Sequence, residues 1–441
     1  MESHVIFGLN PVWVSVGLLV ATYALIVTER INRAIVALLG AGAVIQSGVL
    51  DQEEAIKGID FNTIALLTGM MILVAIARKS GMFQYVAVWS AKKARAEPWG
   101  ILLMLSVTTA LLSALLDNVT TVLLVVPVTL AITKDLGVPP YPFLFAEVMA
   151  SNIGGTATLI GDPPNILIGS QAGLSFNAFV AHLTPVIVAT MAAQALATHL
   201  IWGRGMKATP EARERVMAMD PRAAIVDRPL LRASLAVLTL VIVAFVLARP
   251  LHMEPGSIAM FGAAILMLLD NVQHHAEKQA ANVSQTFGEV EWITIFFFVG
   301  LFVVVHGVEA AGVLKLLADL LIRATGGDLA VTGYAILWAS AFLSAIVDNI
   351  PFVATMIPLV KAMAPTFGGE EGLLPLWWAL SLGACLGGNG TLIGASANLT
   401  VAGLAERAGV PFRFMTYTLH AFPLMVMSVA ISHVYLWLRY F

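Results

Sequence analysis

Residues 98–133 read PWGILLMLSVTTALLSALLDNVTTVLLVVPVTLAIT, an apolar run interrupted only by Asp117 and Asn118. As one straight helix it would be about 54 Å long at 1.5 Å per residue, too long for one crossing of a hydrocarbon core about 30 Å thick. Two apolar arms meeting at a polar tip fit the length better. The segment then enters and leaves on one side, as a re-entrant hairpin or a pair of short spans. Residues 331–360, VTGYAILWASAFLSAIVDNIPFVATMIPLV, repeat the pattern around Asp348 and Asn349.

Outward from these two segments the chain stays apolar. Of 441 residues, 59% are hydrophobic and only 12% charged, and mean hydropathy is +0.87. A soluble chain carries about twice that share of charge. One cysteine, Cys385, excludes an intrachain disulfide, and a net charge of −3 gives no reason to expect nucleic acid as a partner. The N-terminus has no basic stretch before its apolar run, so it reads as a first span rather than a cleaved signal peptide. Spans are expected near 11–28, 33–49, 62–77, 143–170 and 178–203, and again near 231–249, 256–270, 292–308, 374–404 and 417–437. Segments 82–95 and 310–323 look amphipathic and are expected to lie along the membrane surface.

Loop charges set the orientation. Arg30 and Arg33 follow the first span, and Arg78, Lys79, Lys92, Lys93 and Arg95 follow the third. The polar stretch 204–229 carries Arg204, Lys207, Arg213, Arg215, Arg222 and Arg228, while Arg407 and Arg413 precede the last span. All fall on one side if ten spans and two hairpins are present; Asp51, Glu53 and Glu54 fall on the other. The expectation is a multi-pass protein of the cell inner (plasma) membrane, with 204–229 a cytoplasmic linker and both termini outside.

A shift of 231 residues, the separation of Asp117 from Asp348, aligns the two halves without a gap from about 60 to 127. Thr63 falls on Thr294, Gly69 on Gly300, Gly81 on Gly312, Ser113 on Ser344 and Pro127 on Pro358. Two more residues of offset bring Gly154-Gly155 onto Gly387-Gly388, Thr158 onto Thr391, Gly161 onto Gly394 and Asn165 onto Asn398. Five spans per copy is an odd number, so the second copy must be inserted upside down, the plan of many secondary transporters. The expected fold is an all-α polytopic membrane protein of two inverted repeats. Residues 1–203 form the first, with hairpin 98–133 and broken helix 143–170. Residues 230–441 form the second, with hairpin 331–360 and broken helix 374–404.

Two constellations carry the chemistry. The first is the pair of tips, Asp117-Asn118-Val119-Thr120-Thr121 and Asp348-Asn349-Ile350-Pro351. Ionisable groups at membrane depth are costly and usually face a cavity. Neither acid has a Lys or Arg nearby in sequence. Asp and Asn would also cap the second arm of each hairpin, and the two roles are compatible. The second constellation is the pair of breaks, Ser151 to Asn165 (with Asn152, Gly154, Gly155, Thr156, Thr158 and Asp162) and Gly387 to Asn398 (with Asn389, Thr391 and Ser396). Glycines and Pro163-Pro164 stop the helix, and non-helical backbone at this depth survives only where it lines a cavity or is buried in protein. A helix-packing glycine motif is the plainer reading of the same residues. Cys385 is either a small packing residue or a soft ligand for a thiophilic solute. Glu147 and Glu291 are candidate proton carriers or interface residues, Lys361 can snorkel from a hairpin end, and His306 reads as packing. No P-loop pattern is present, so nothing points to ATP hydrolysis by this chain, and neither a cofactor nor a metal is expected.

These motifs resemble the ion transporter superfamily over nearly the whole chain. Within it they resemble the branch holding ArsB-type arsenite efflux pumps, NhaD-type sodium/proton antiporters and the melanosomal P protein. The resemblance implies two hairpins and two broken helices around the substrate, and an elevator-like or rocking movement. The first break also resembles those of dicarboxylate and citrate carriers. The resemblance implies three substrates. Arsenite or antimonite efflux coupled to protons ranks first, because a neutral polyhydroxyl solute suits Asn, Thr and Ser groups without fixed cations, with Asp117, Asp162 and Asp348 carrying the proton or holding the solute by hydrogen bonds. Sodium/proton antiport is second. Carboxylate uptake is third, weakened because neither break contains Arg or Lys. A channel, a homodimer and a separate ATPase subunit stay open.

Overall fold

A computed structural model of the chain describes residues 5, 8–28 and 30–441. The expected outside placement of the N-terminus falls partly on residues 1–4, which lie outside the described residues. Among the described residues the chain is helical, with no strand. Eight helices are long and apolar enough to cross a membrane, and four further apolar helices are shorter: Pro11–Val27, Arg33–Gln46, Pro255–Asn271 and Asn349–Ala362.

Both hairpins form. The first consists of helices Pro98–Leu115 and Asn118–Leu136, the second of Leu329–Ile346 and Asn349–Ala362. Each tip breaks at an extended residue, Leu116 or Val347, and the next residue caps the returning arm. Asp117 Oδ1 accepts from Thr120 N at 2.7 Å, and Asp348 Oδ1 from Ile350 N at 3.1 Å. The caps satisfy amides that would otherwise be orphaned in an apolar medium.

Both breaks form as well. Helix Tyr141–Gly155 stops at its two glycines and helix Pro163–Ala172 begins after an irregular turn. Helix Leu374–Gly387 passes through two short 3-10 turns before Ser396–Arg407. Asp162 (φ −143°, ψ 131°) and Ala395 (φ −149°, ψ 144°) precede the restarted helices in matching extended conformations. Proline at the first helical position stabilises the restart in one break; serine occupies it in the other. A Cβ on Gly161 would lie 2.5 Å from the carbonyl oxygens of Gly155 and Ser113, and one on Gly394 would lie 2.6 Å from Gly388 O and 2.9 Å from Ser344 O. Three backbones therefore meet at each break with no room for a side chain, which is the physical reason both positions are glycine.

Helix partners exchange between the two halves. Phe61–Lys79 packs most closely on Pro255–Asn271, and Trp292–Ala310 on Arg33–Gln46. The crossings sit at Gly69, whose Cβ would meet the Ala259 carbonyl carbon at 2.6 Å, and Gly300, whose Cβ would meet that of Ala37 at 2.5 Å. Small residues allow such close approach where lipid supplies no hydrophobic drive between helices. Each broken helix packs its first half on the first arm of its own hairpin, and its second half on the returning arm of the other hairpin.

The surface segments fold as helices Met82–Lys93 and Val313–Ala324. The stretch 204–229 contains helix Pro210–Ala218 and two 3-10 turns, and is pinned by Lys92 Nζ donating to Met219 O at 2.8 Å and Val226 N donating to Ser80 O at 3.0 Å. Helix Ala276–Gly288, between the spans, has no counterpart in the sequence reading. His306 is not simply packed: its Nδ1 lies 3.3 Å from Glu309 Oε2.

Candidate substrate site

The tips and breaks converge on one buried polar network. Asn118 Nδ2 donates to Asn152 Oδ1 (3.0 Å) and Asp162 Oδ1 (3.2 Å), and Asn349 Nδ2 reaches the same Asp162 oxygen at 3.5 Å. Asn152 Nδ2 donates to Asn389 Oδ1 (2.9 Å) and Asn398 Oδ1 (2.8 Å). Five asparagines and one aspartate, drawn from both halves of the chain, thus form a continuous chain of amides. Asp162 is fully buried, and its Oδ2 has no partner. Such an atom is costly unless a proton, an ion or a solute satisfies it.

A second set of residues around the breaks bonds mainly to backbone carbonyls. Thr158 Oγ1 donates to Ala114 O and Thr391 Oγ1 to Ala345 O, each at 2.5 Å. Ser113 Oγ donates to Ser151 O and Ser344 Oγ to Ala384 O, each at 2.6 Å. Asn165 Nδ2 donates to the carbonyls of Thr156 and Thr158, and Asn398 Nδ2 to those of Gly388 and Thr391. Thr156 Oγ1 donates to Asn152 O at 2.7 Å. Thr120 closes the cap on Asp117, its Oγ1 at 2.5 Å from Asp117 Oδ2. Thr121 is buried with its hydroxyl unpaired. Gly154 and Gly155 pack against the backbones of Ala110 and Gly161.

Cys385 is completely buried, its Sγ 3.6 Å from Asn165 Oδ1, and it lines none of the four described cavities. Ser381 Oγ donates to the same Asn165 oxygen at 2.6 Å. The thiol thus sits beside Asn165 in the second half of the first break.

The cation missing from the sequence neighbourhood of the acids comes from the start of the chain. Arg33 Nη1 donates to Asp348 Oδ2 at 2.9 Å and to Ser396 Oγ at 2.7 Å, while Nη2 donates to Thr294 Oγ1 at 3.1 Å. Its guanidinium also sits 5.2 Å from the centre of the Phe297 ring. Ser396 Oγ lies 3.1 Å from Asp348 Oδ2. Thr294 donates in turn to Glu291 Oε2 at 3.1 Å. By sequence a loop charge that fixes orientation, Arg33 opens helix Arg33–Gln46, and its side chain reaches the second hairpin tip. No local signal marks this pairing, because 315 residues separate the partners. The one usable hint was Thr294, which the repeat alignment had already picked out.

Arg33, Asp348 and Ser396 line a cavity of about 290 Å³ with an apolar rim that includes Ile26, Phe297 and Leu399. Arg33 and Ser396 also border a far smaller cleft lined by Asp117, Asn118, Asp162, Glu291 and Asn349. Four carboxyls and one guanidinium therefore surround the two adjoining spaces. That excess of acid requires protons or cations when the site is closed from water.

A family model described as citrate transporter, CitMHS, matches residues 23–383. A protein of Mycobacterium tuberculosis named as an uncharacterized transporter is 44% identical over 432 residues, covering 97% of this chain and 98% of that one. The 46 kDa membrane protein of Mycobacterium leprae is 43% identical over 432 residues, with the same coverage. The P protein of Homo sapiens is 34% identical over 510 residues, covering 97% of this chain and 60% of that protein. Among solved structures, the YdaH transporter of Alcanivorax borkumensis superposes with a TM-score of 0.58 at 15% identity over 98% of this chain and 99% of that one. MtrF of Neisseria gonorrhoeae gives a TM-score of 0.55 at 12% identity over 99% and 96%. These two likenesses concern the fold. The chain belongs to the CitMHS family of membrane transporters, within the ion transporter superfamily.

Proposed function

We propose that the chain is a cation-coupled secondary transporter of small organic carboxylates, of which citrate is the type. The observation that carries this reading is the guanidinium of Arg33 beside the 290 Å³ cavity. Arginine's planar fork matches a carboxylate in two-point contact. Its present partner, Asp348, is itself a carboxylate. A substrate carboxylate that takes the place of Asp348 meets the same donors, Arg33 and Ser396. The objection raised by the sequence, that no cation sits within either break, loses its force because Arg33 arrives from elsewhere. The description of the family model supports the same substrate class.

The surplus of acid gives the coupling. An anion cannot approach four ionised carboxyls at membrane depth at reasonable cost. Protons or cations loaded at Asp117 and Asp162 lower that charge first, and the substrate follows. Asn118 and Asn349 orient Asp162, and Asn152, Asn389 and Asn398 brace Asn118 and complete the shell. In this reading the two halves are inverted copies, residues 1–203 and 230–441, placed in the cell inner membrane with 204–229 in the cytoplasm.

Arsenite efflux is the second reading. The amide chain around Asp162 carries no fixed cation and suits a neutral polyhydroxyl solute. The test is a panel of citrate, succinate, arsenite and sodium on purified protein in liposomes with an imposed pH gradient. Gradient-driven citrate or succinate flux is expected. Flux of arsenite alone would replace the first reading with the second, and a response to sodium alone would leave an antiporter.

A further inference from the structure

A second, larger cavity of about 950 Å³ lies outside the amide network and reaches the first hairpin tip at Leu115 and Leu116. Helix Met82–Lys93, the end of hairpin arm Pro98–Leu115 and helix Arg228–Leu247 form its walls. Its lining is apolar apart from Tyr85, Thr239 and three arginines, Arg222, Arg228 and Arg232, and it contains no acid. None of the three arginines makes a salt bridge among the described residues. The acids nearest in sequence are engaged as caps: Asp220 accepts from Arg222 N and Asp227 from Leu230 N, both at 2.9 Å.

The groove has direction. On helix Arg228–Leu247 its lining runs from Arg228 to Val243, about 22 Å at 1.5 Å per residue. That exceeds half of a hydrocarbon core about 30 Å thick. The arginines mark the polar end, beside the pinned stretch 204–229. Leu115 and Leu116 lie at the hairpin tip, next to Asp117. The arginine end is also held in place. Gly81 is left-handed (φ +83°), the Ala224 carbonyl occupies the space a Cβ would need, and Val226 N bonds Ser80 O at 3.0 Å.

We propose that this groove is a binding site for one anionic phospholipid of the surrounding bilayer, headgroup phosphate on Arg222, Arg228 and Arg232, acyl chain along the helix towards the first hairpin tip. Charge complementarity and the length of the apolar wall together select this occupant. A zwitterionic lipid fills the same wall but leaves the arginines without net compensation. Three basic residues near a lipid surface favour anionic lipid by about a hundredfold. The bound chain touches the surface helix, the arm of the hairpin and Leu116, and so couples lipid composition to the part of the site that carries Asp117.

The full chain is purified from bilayers of equal phosphatidylglycerol and phosphatidylcholine, and retained lipid is counted by native mass spectrometry. Wild type is expected to retain phosphatidylglycerol over phosphatidylcholine by about a hundredfold. The triple variant Arg222→Gln, Arg228→Gln, Arg232→Gln is expected to retain the two equally. No preference in wild type, or the same preference in the triple variant, overturns the proposal. Leu238→Trp narrows the apolar wall and keeps the arginines; unchanged retention there would show that surface charge alone holds the lipid and would overturn the seating in the groove. Thermal melting of wild type with added short-chain phosphatidylglycerol needs no variant: an upward shift absent with phosphatidylcholine is expected, and equal shifts count against the site.

Discussion

At the second hairpin tip Asp348 faces a guanidinium and a serine; at the first, Asp117 turns both oxygens onto Thr120 of its own helix. The same dipeptide, Asp-Asn, opens both returning arms, and both asparagines reach Asp162. What differs is the company each acid keeps. The break beside Asp348 offers Ser396, where the other break has Pro163; the break beside Asp117 offers Asp162, where the other has Ala395. In the proposed reading the repeated pattern has separated two charges: the part around Asp348 serves an anion, through Arg33, and the part around Asp117 and Asp162 serves a cation or proton.

The sharpest way to break this comparison is Asp162→Asn. It removes the unpaired carboxylate and keeps the amide network. Concentrative uptake in liposomes with a pH gradient is expected to vanish while downhill exchange of substrate persists. Uptake that still follows the gradient would move the coupling group elsewhere.

Arg33→Gln comes next. Removing one partner of a hydrogen-bonded charge pair costs about 2–5 kcal/mol. The pair is partly exposed, with side chains 25% and 17% accessible, so the lower part of that range applies, about 30- to 100-fold in initial transport rate. Arg33→Lys keeps the charge without the fork and should fall between. If Arg33→Gln transports normally, the two halves do not differ in the way described.

Where the halves are alike, equal effects are expected. Gly161→Ala and Gly394→Ala each push a Cβ into two backbone carbonyls. Each should destabilise by about 1–3 kcal/mol, read as a lowered melting temperature in detergent. A large loss in one and none in the other would mean that the breaks are packed differently.

The smallest effect belongs to Cys385→Ser. The thiol is buried and lines neither of the two adjoining spaces. Transport rates within about twofold of wild type are expected, and stability within about 1.5 kcal/mol. A transport loss with unchanged stability would return the thiol to the substrate path.

Much of this was legible in the sequence, for a physical reason. A polar pair inside an apolar run, and glycines with prolines inside a span, are local interruptions that have few structural solutions in lipid. Hence Asp117, Asp348, Asn152, Asn165 and Asn398 could be picked out before any coordinates. Their division of labour could not. Thr158, Thr391 and Ser396 look alike as letters, yet two hold backbone carbonyls and one meets Arg33. Arg33 itself lay hidden because a basic residue after a first span has a sufficient explanation in membrane orientation. Helix Ala276–Gly288 was missed because a polar stretch between spans carries no hydrophobic period to read.

The central claim is that Arg33 exchanges Asp348 for a substrate carboxylate. Equilibrium binding of citrate to purified Asp348→Asn, compared with wild type at one pH, tests it most directly. With its internal competitor removed, the variant should bind citrate more tightly than wild type, and adding Arg33→Gln should abolish the gain. Weaker binding in Asp348→Asn, or a gain that survives Arg33→Gln, would contradict the account.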